Sequence, residues 1–145
     1  MGIRSLRIVE FIVGGRPVAK GRIRFSSKTG HAYPPERTVA YEGRVAAAAQ
    51  SAMNGRPPVE APVAVRLAVR LPIPASWPQK KQFAAEIGLL LPKGRPDTDN
   101  FVKICDALNH IVWVDDSQIV DLIATKRYSV TPGLTITVDD LEELA

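Results

Sequence analysis

Val63-Ala64-Val65-Arg66-Leu67-Ala68-Val69-Arg70-Leu71 alternates from end to end: Val63, Val65, Leu67, Val69 and Leu71 point one way, Ala64, Arg66, Ala68 and Arg70 the other. A period of two belongs to a strand with one face in a core and the other toward solvent. No other stretch carries so clear a strand signal. Pro72 and Pro74 close it downstream. Upstream, Asn54-Gly55 and Pro57-Pro58 separate it from Thr38–Met53, an alanine-rich segment that reads as a helix with Thr38 as its N-cap.

Further out, residues 6–13 read as a strand that ends at Gly14-Gly15. Arg16 to Tyr33 is a polar, basic segment punctuated by Gly21 and Gly30. Residues 78–90 read as a short helix with Pro78 in its first turn, and residues 99–108 as another. Ile111–Val114 is a short apolar run; Gln118–Tyr128 and Leu134–Val138 then read as a hairpin around Pro132-Gly133. No repeat, low-complexity tract or linker divides residues 1–145, so strands and helices are expected to share one domain.

The composition is that of a globular chain: 145 residues, 46% hydrophobic and 23% charged, enough to bury a core without staples. The net charge of +4 favours an anionic partner. Residues 1–37 hold eight Arg and Lys against Glu10 and Glu36, whereas the tail carries Asp139, Asp140, Glu142 and Glu143. The single cysteine, Cys105, excludes an internal disulfide and a zinc ribbon. With no signal-peptide pattern and no apolar run near the ~20 residues of a membrane span, a soluble cytoplasmic protein is expected.

Within this basic chain, Arg95-Pro96-Asp97-Thr98-Asp99-Asn100-Phe101-Val102-Lys103 and Trp113-Val114-Asp115-Asp116-Ser117-Gln118 gather four carboxylates and one lysine. Crowded carboxylates repel one another and resist desolvation. A hard divalent cation such as Mg²⁺, which takes oxygen ligands and keeps waters, relieves that cost. On a helical wheel with Asp99 at zero, Lys103 falls near 40° and Asp106 near −20°, while Phe101, Ile104, Cys105 and Leu108 cluster at about 140–240°. One charged edge thus opposes one apolar face, and the apolar run before Asp115 and Asp116 should hold that pair in place. The competing reading makes these acids helix caps and turn residues, with Lys103 an ion-pair partner of Asp99. An EF-hand is excluded because Phe101 and Val102 stand where a ligand and a glycine are needed. Cys105 reads as core, and Tyr33, Tyr41 and Trp77 read as packing residues rather than DNA contacts. His31 and His110 lack ligand spacing.

Pro96-Asp97-Thr98-Asp99-Asn100-Phe101-Val102-Lys103, Asp106-Ala107-Leu108-Asn109, Ile111 to Val120 and Thr125-Lys126-Arg127-Tyr128 resemble the RusA family of Holliday-junction resolvases, small endodeoxyribonucleases common in prophages. Gly15 to Arg24 and Tyr33-Pro34 fit a branch of that family, so the resemblance spans nearly the whole chain. It implies an α+β single domain, with a mixed sheet of about four to five strands packed against about three helices. It also implies a homodimer that resolves four-way DNA junctions by paired symmetric nicks, in recombination and repair. Asp97, Asp99 and Asp116 carry over as Mg²⁺ ligands, with Mn²⁺ a possible substitute ion, Lys103 as the essential basic residue and Asp115 as an auxiliary. Arg16, Lys20, Arg22, Arg24, Lys28, Lys93, Arg95, Lys126 and Arg127 are expected to contact phosphates. Family members often have one more residue between the motif lysine and Asp-Ala-Leu. Here only Ile104-Cys105 intervenes, turning Asp106 by about 100°, and no role is carried to it. Two other classes remain: a Mg²⁺ nuclease for flaps or forks, and a non-catalytic DNA-binding protein.

Overall fold

The computed structural model describes residues 2–144, with no side-chain description for residue 144. In chain order the elements are β1 (Gly2–Gly14), β2 (Arg24–Phe25), β3 (Ala32–Tyr33), α1 (Glu36–Met53), β4 (Val63–Pro72), α2 (Gln79–Glu86), α3 (Thr98–Val102), β5 (Ile119–Ser129) and β6 (Gly133–Leu144). Two 3₁₀ segments, Lys103–Leu108 and Asp116–Gln118, lie between α3 and β5. The alternating stretch is β4, an interior strand of a four-stranded sheet ordered β1-β6-β4-β5. It pairs parallel with β5 and antiparallel with β6, and β6 pairs antiparallel with β1. The α+β single domain with a mixed sheet and three helices is therefore what the structure presents.

The period of two in β4 becomes a core through its register. Val9–Val138–Val65, Phe11–Ile136–Leu67 and Val13–Leu134–Val69 form three rows across β1, β6 and β4, all buried. Each fully buried side chain of this kind contributes about 1.5–3 kcal/mol. One side of α1 covers them with Tyr41, Val45, Ala49 and Met53, each four residues after the last, as one helix face requires. Phe101, Ile104, Cys105, Leu108, Val112 and Trp113 complete the cluster. The third row continues onto β5 at Lys126, which pairs with Val69. That lysine consequently sits on the covered side of the sheet, at its edge.

Four expectations change. The helix begins at Glu36 with Pro35 at the N-cap position; Thr38 lies inside it, buried, and accepts a hydrogen bond from Gly21 N–H at 3.0 Å. The second helix stops at Glu86, with Gly88 at φ +86° shortly after, a backbone that L side chains avoid. The expected helix over 99–108 winds more tightly after Val102, as a 3₁₀ segment. β5 and β6 reverse direction around Pro132-Gly133 but do not form a hairpin, because β4 lies between them. The connection crosses the end of β4, where Arg70 Nε donates to the Thr131 carbonyl at 3.2 Å. Gly133 permits the crossing: a Cβ there would come within 2.6 Å of Arg70 Nη2 and 3.1 Å of the Val13 carbonyl oxygen.

The Tyr41 hydroxyl is buried without a hydrogen-bond partner, and burial pushes its pKa up to about 12. An unpartnered buried hydroxyl costs stability that a ring alone does not. Tyr41→Phe should unfold in a thermal melt at the same temperature as the wild type or higher.

Candidate active site

The acidic motif reaches its position on a loop tied down from β5. Lys126 Nζ donates to the Gly94 carbonyl at 2.7 Å and to the Pro96 carbonyl at 2.9 Å. Asp97 then occupies the N-cap position of α3 with extended backbone, yet its carboxylate makes no cap hydrogen bond. Asp99 stands in the first turn, exposed. Capping therefore does not account for Asp97. The opposite side of this segment buries Phe101, Ile104, Cys105 and Leu108, so the apolar face read from the wheel is real. Lys103 is exposed and approaches Asn100 Oδ1 at 3.4 Å.

For Asp115 the capping reading holds. Its carboxylate accepts the Ser117 N–H at 3.1 Å, and hydrogen bonds from Ser117, side chain first and then backbone, lower its pKa. Gln118 closes the turn with all its amide groups engaged. Its Oε1 accepts the N–H groups of Val114 and Asp115, each at 2.9 Å. Its Nε2 donates to the carbonyls of Val59 and Ala61, again at 2.9 Å each. Trp113 is fully buried and donates from Nε1 to Asn109 Oδ1 at 2.7 Å. This turn is thus held by one glutamine and one tryptophan, and Asp116 projects from it, exposed.

Asp106 joins Asp116. A hydrogen bond with the Asp106 carboxyl raises the Asp116 pKa from its ordinary value, with burial and the Asp115 charge adding to the shift. Two carboxylates side by side disfavour each other's ionised form, so this is a site of negative-charge crowding. Lys20 Nζ lies 3.1 Å from Asp106 and 3.8 Å from Glu42, and Lys20 N–H donates to the Asn100 carbonyl at 2.9 Å. The rotation that set Asp106 aside assumed 100° per residue. In a 3₁₀ segment residues three apart eclipse instead, placing Asp106 in line with Lys103. The sequence places Asp106 on the charged edge without a role and gives Gln118 none. Its place in the Asp-Asp-x-Gln spacing was the available signal for Gln118.

Among the described residues, no group of three or more His, Cys, Asp or Glu side chains is placed to hold a metal ion. The structure brings together Asp106 and Asp116, while Asp97 and Asp99 extend from the adjoining α3. Of the basic residues, Lys20 and Lys126 are engaged internally. Arg16, Arg22, Arg24, Lys28, Lys93, Arg95 and Arg127 are exposed, with no carboxylate salt bridge among the described residues. Cys105 is buried and its thiol pKa is pushed up to about 12, first by burial and then by Asp106 and Asp116. A concavity lined by Arg7, Glu10, Arg66, Asp121, Thr137 and Asp139 contains none of the motif residues.

The family model for the endodeoxyribonuclease RusA matches residues 14–139, a span that includes every acid of this cluster. The chain belongs to the RusA endodeoxyribonuclease family. A relative in Bacillus subtilis (strain 168), the uncharacterized protein YqaN, is 39% identical over 140 residues, covering 92% of this chain and 96% of that protein. As a RusA-family chain, this protein is a nuclease of the hydrolase type. Among the described residues, no helix is long and apolar enough to cross a membrane.

Gln118→Ala would leave the Val59 and Ala61 carbonyls and the Val114 and Asp115 N–H groups without their partner. A loss of about 1–3 kcal/mol is expected, read as an earlier midpoint in urea denaturation.

Proposed function

We propose that this protein is a Mg²⁺-dependent, structure-specific endodeoxyribonuclease that resolves four-way DNA junctions by paired symmetric nicks, acting as a homodimer. The observation that carries the reading is a division among the acids: Asp115 is consumed by its turn, whereas Asp97 sits at a cap position without capping. A protein that used its acids only as caps would have committed Asp97 as it commits Asp115.

The donor set suits a hard cation. Asp97, Asp99 and Asp116 are exposed carboxylates, and the crowding of Asp116 with Asp106 is the strain that a divalent ion relieves. Their side chains are not gathered into a metal site as they stand, so these three residues would close onto Mg²⁺ when it binds, and the bound ion would supply Lewis-acid charge to the scissile phosphate. Lys103, on the same exposed edge, adds a positive charge for the phosphoryl oxygens as negative charge develops there. Lys126 and Gln118 position the two acidic segments. Arg16, Arg22, Arg24, Lys28, Lys93, Arg95 and Arg127 present cations to backbone phosphates, contacts that orient DNA without reading its sequence. Two equivalent cuts in a two-fold substrate are made most simply by a C2 pair with one site per chain.

The direct test incubates purified protein with a labelled synthetic four-way junction, a matched linear duplex, a flap and a fork, with and without Mg²⁺. Symmetric, Mg²⁺-dependent nicks in the junction are expected, abolished in Asp99→Asn while junction binding persists. Preferential cutting of the flap or fork would replace the junction assignment, and binding without cutting would remove the enzymatic one.

Metal binding has a readout apart from cleavage. Mg²⁺ at a hundredfold excess over its Kd should stabilise the wild type by about 2.7 kcal/mol, seen as a raised thermal midpoint. The increment should shrink in Asp116→Asn.

A further inference from the structure

We propose that the β2–β3 ribbon recognises the branch itself, with Phe25 stacking on an unpaired base; this rests on the branched-DNA reading above. The ribbon pairs Arg24 with Tyr33 and Phe25 with Ala32, and it forms a sheet of its own. Its tip is built rather than loose. Ser26 N–H donates to the His31 carbonyl at 3.0 Å, Gly30 N–H to the Ser26 carbonyl at 2.8 Å, and Ser26 Oγ accepts from Lys28 and Thr29 N–H at 3.3 Å each. Yet it buries none of its large apolar side chains: Phe25 is 73% exposed, Ile23 60% and Tyr33 45%. Tyr33 is thus not the packing residue that the sequence suggested. Phe25 stands opposite Ala32, whose small side chain leaves the ring uncovered.

Cations are interleaved with these apolar groups. Arg22, Arg24 and Lys28 are exposed and carry no salt bridge among the described residues. An open aromatic ring amid unpaired cations matches the chemistry of unpaired nucleic acid: bases stack on the ring while phosphates meet the cations. A second copy of this chain fits less well, because a two-fold contact through the patch would set Arg22, Arg24 and Lys28 against their own equivalents. A fully stacked linear duplex offers no base face, so stacking here selects for a branch.

Placement joins the ribbon to the acids. It begins just after Lys20, which is bonded to the Asn100 carbonyl and to Asp106. Gly21 N–H donates to Thr38 Oγ1 at 3.0 Å, and a Cβ on Gly21 would meet Pro35 Cγ at 2.8 Å. The base of the ribbon is therefore pressed against the start of α1 and fastened to the acidic segment.

The test measures binding by fluorescence anisotropy in EDTA, to the four-way junction and to the linear duplex, for wild type, Phe25→Ala and Phe25→Trp, with sedimentation of each. Phe25→Ala should weaken junction binding about tenfold, the scale of one base–aromatic stack. Duplex binding should stay unchanged, and Phe25→Trp should restore the junction affinity. Equal affinities for Phe25→Ala and wild type on the junction, or an equal loss on both DNAs, would overturn this role alone. A change in sedimentation of Phe25→Ala would reassign the patch to contact between copies. A wild type with no preference for branched DNA would overturn both this role and the function it rests on.

Discussion

β4 is hydrogen-bonded on both of its edges, antiparallel to β6 and parallel to β5, and its Val63, Val65, Leu67 and Val69 must all face one covered layer. A shift of one residue in either register would turn that row toward solvent and bring Arg66 and Arg70 into the core. The rows shared with β1 and β6, the apolar side of α1 and the buried side of the segment after α3 all follow from that requirement. So does the site. The exposed edge carrying Asp99, Lys103 and Asp106 is the reverse of the face that buries Phe101, Ile104 and Leu108.

Two internal clamps convert this packing into a defined arrangement of charge. Lys126 reaches from the edge of the third core row to the carbonyls of Gly94 and Pro96, immediately before Asp97. Gln118 links the turn that bears Asp116 to the chain preceding β4, through the carbonyls of Val59 and Ala61. Both use side-chain donors on backbone acceptors, so neither adds net charge to the acidic cluster beyond the single cation of Lys126. Lys20 works differently: it places a charge beside Asp106 and ties the basic N-terminal segment to α3 through its backbone. Acid and base are thereby kept adjacent without cancelling, because most of the remaining cations face outward without carboxylate partners.

The acids themselves illustrate how far residue type reaches. Four aspartates in two short segments look alike in the chain, and each satisfies the preference for helix starts and turns. Only the hydrogen bonds separate them. Asp115 accepts from Ser117 and is lowered in pKa, Asp116 is raised by Asp106, and Asp97 holds a cap position without a cap bond. Identical side chains thus diverge according to whether a donor or another acid faces them.

Much of this was legible in the chain as written. The strand period of β4, the apolar face of residues 101–108, the end of α1 at Asn54 and the acids with their lysine are encoded within a few residues of one another, where periodicity and side-chain chemistry act directly. Other features depended on contacts between distant segments. Pro132-Gly133 marks a reversal of direction, but the insertion of β4 between β5 and β6 depends on long-range pairing that no local turn signal contains. The pairing of Asp106 with Asp116 depends on a change from α to 3₁₀ winding after Val102, and that of Lys20 with Asp106 on a separation of 86 residues. Local sequence thus determined which elements form and which residues carry charge. Tertiary structure decided which of those charges meet, because a side chain's partners are set by the closure of the chain around β4.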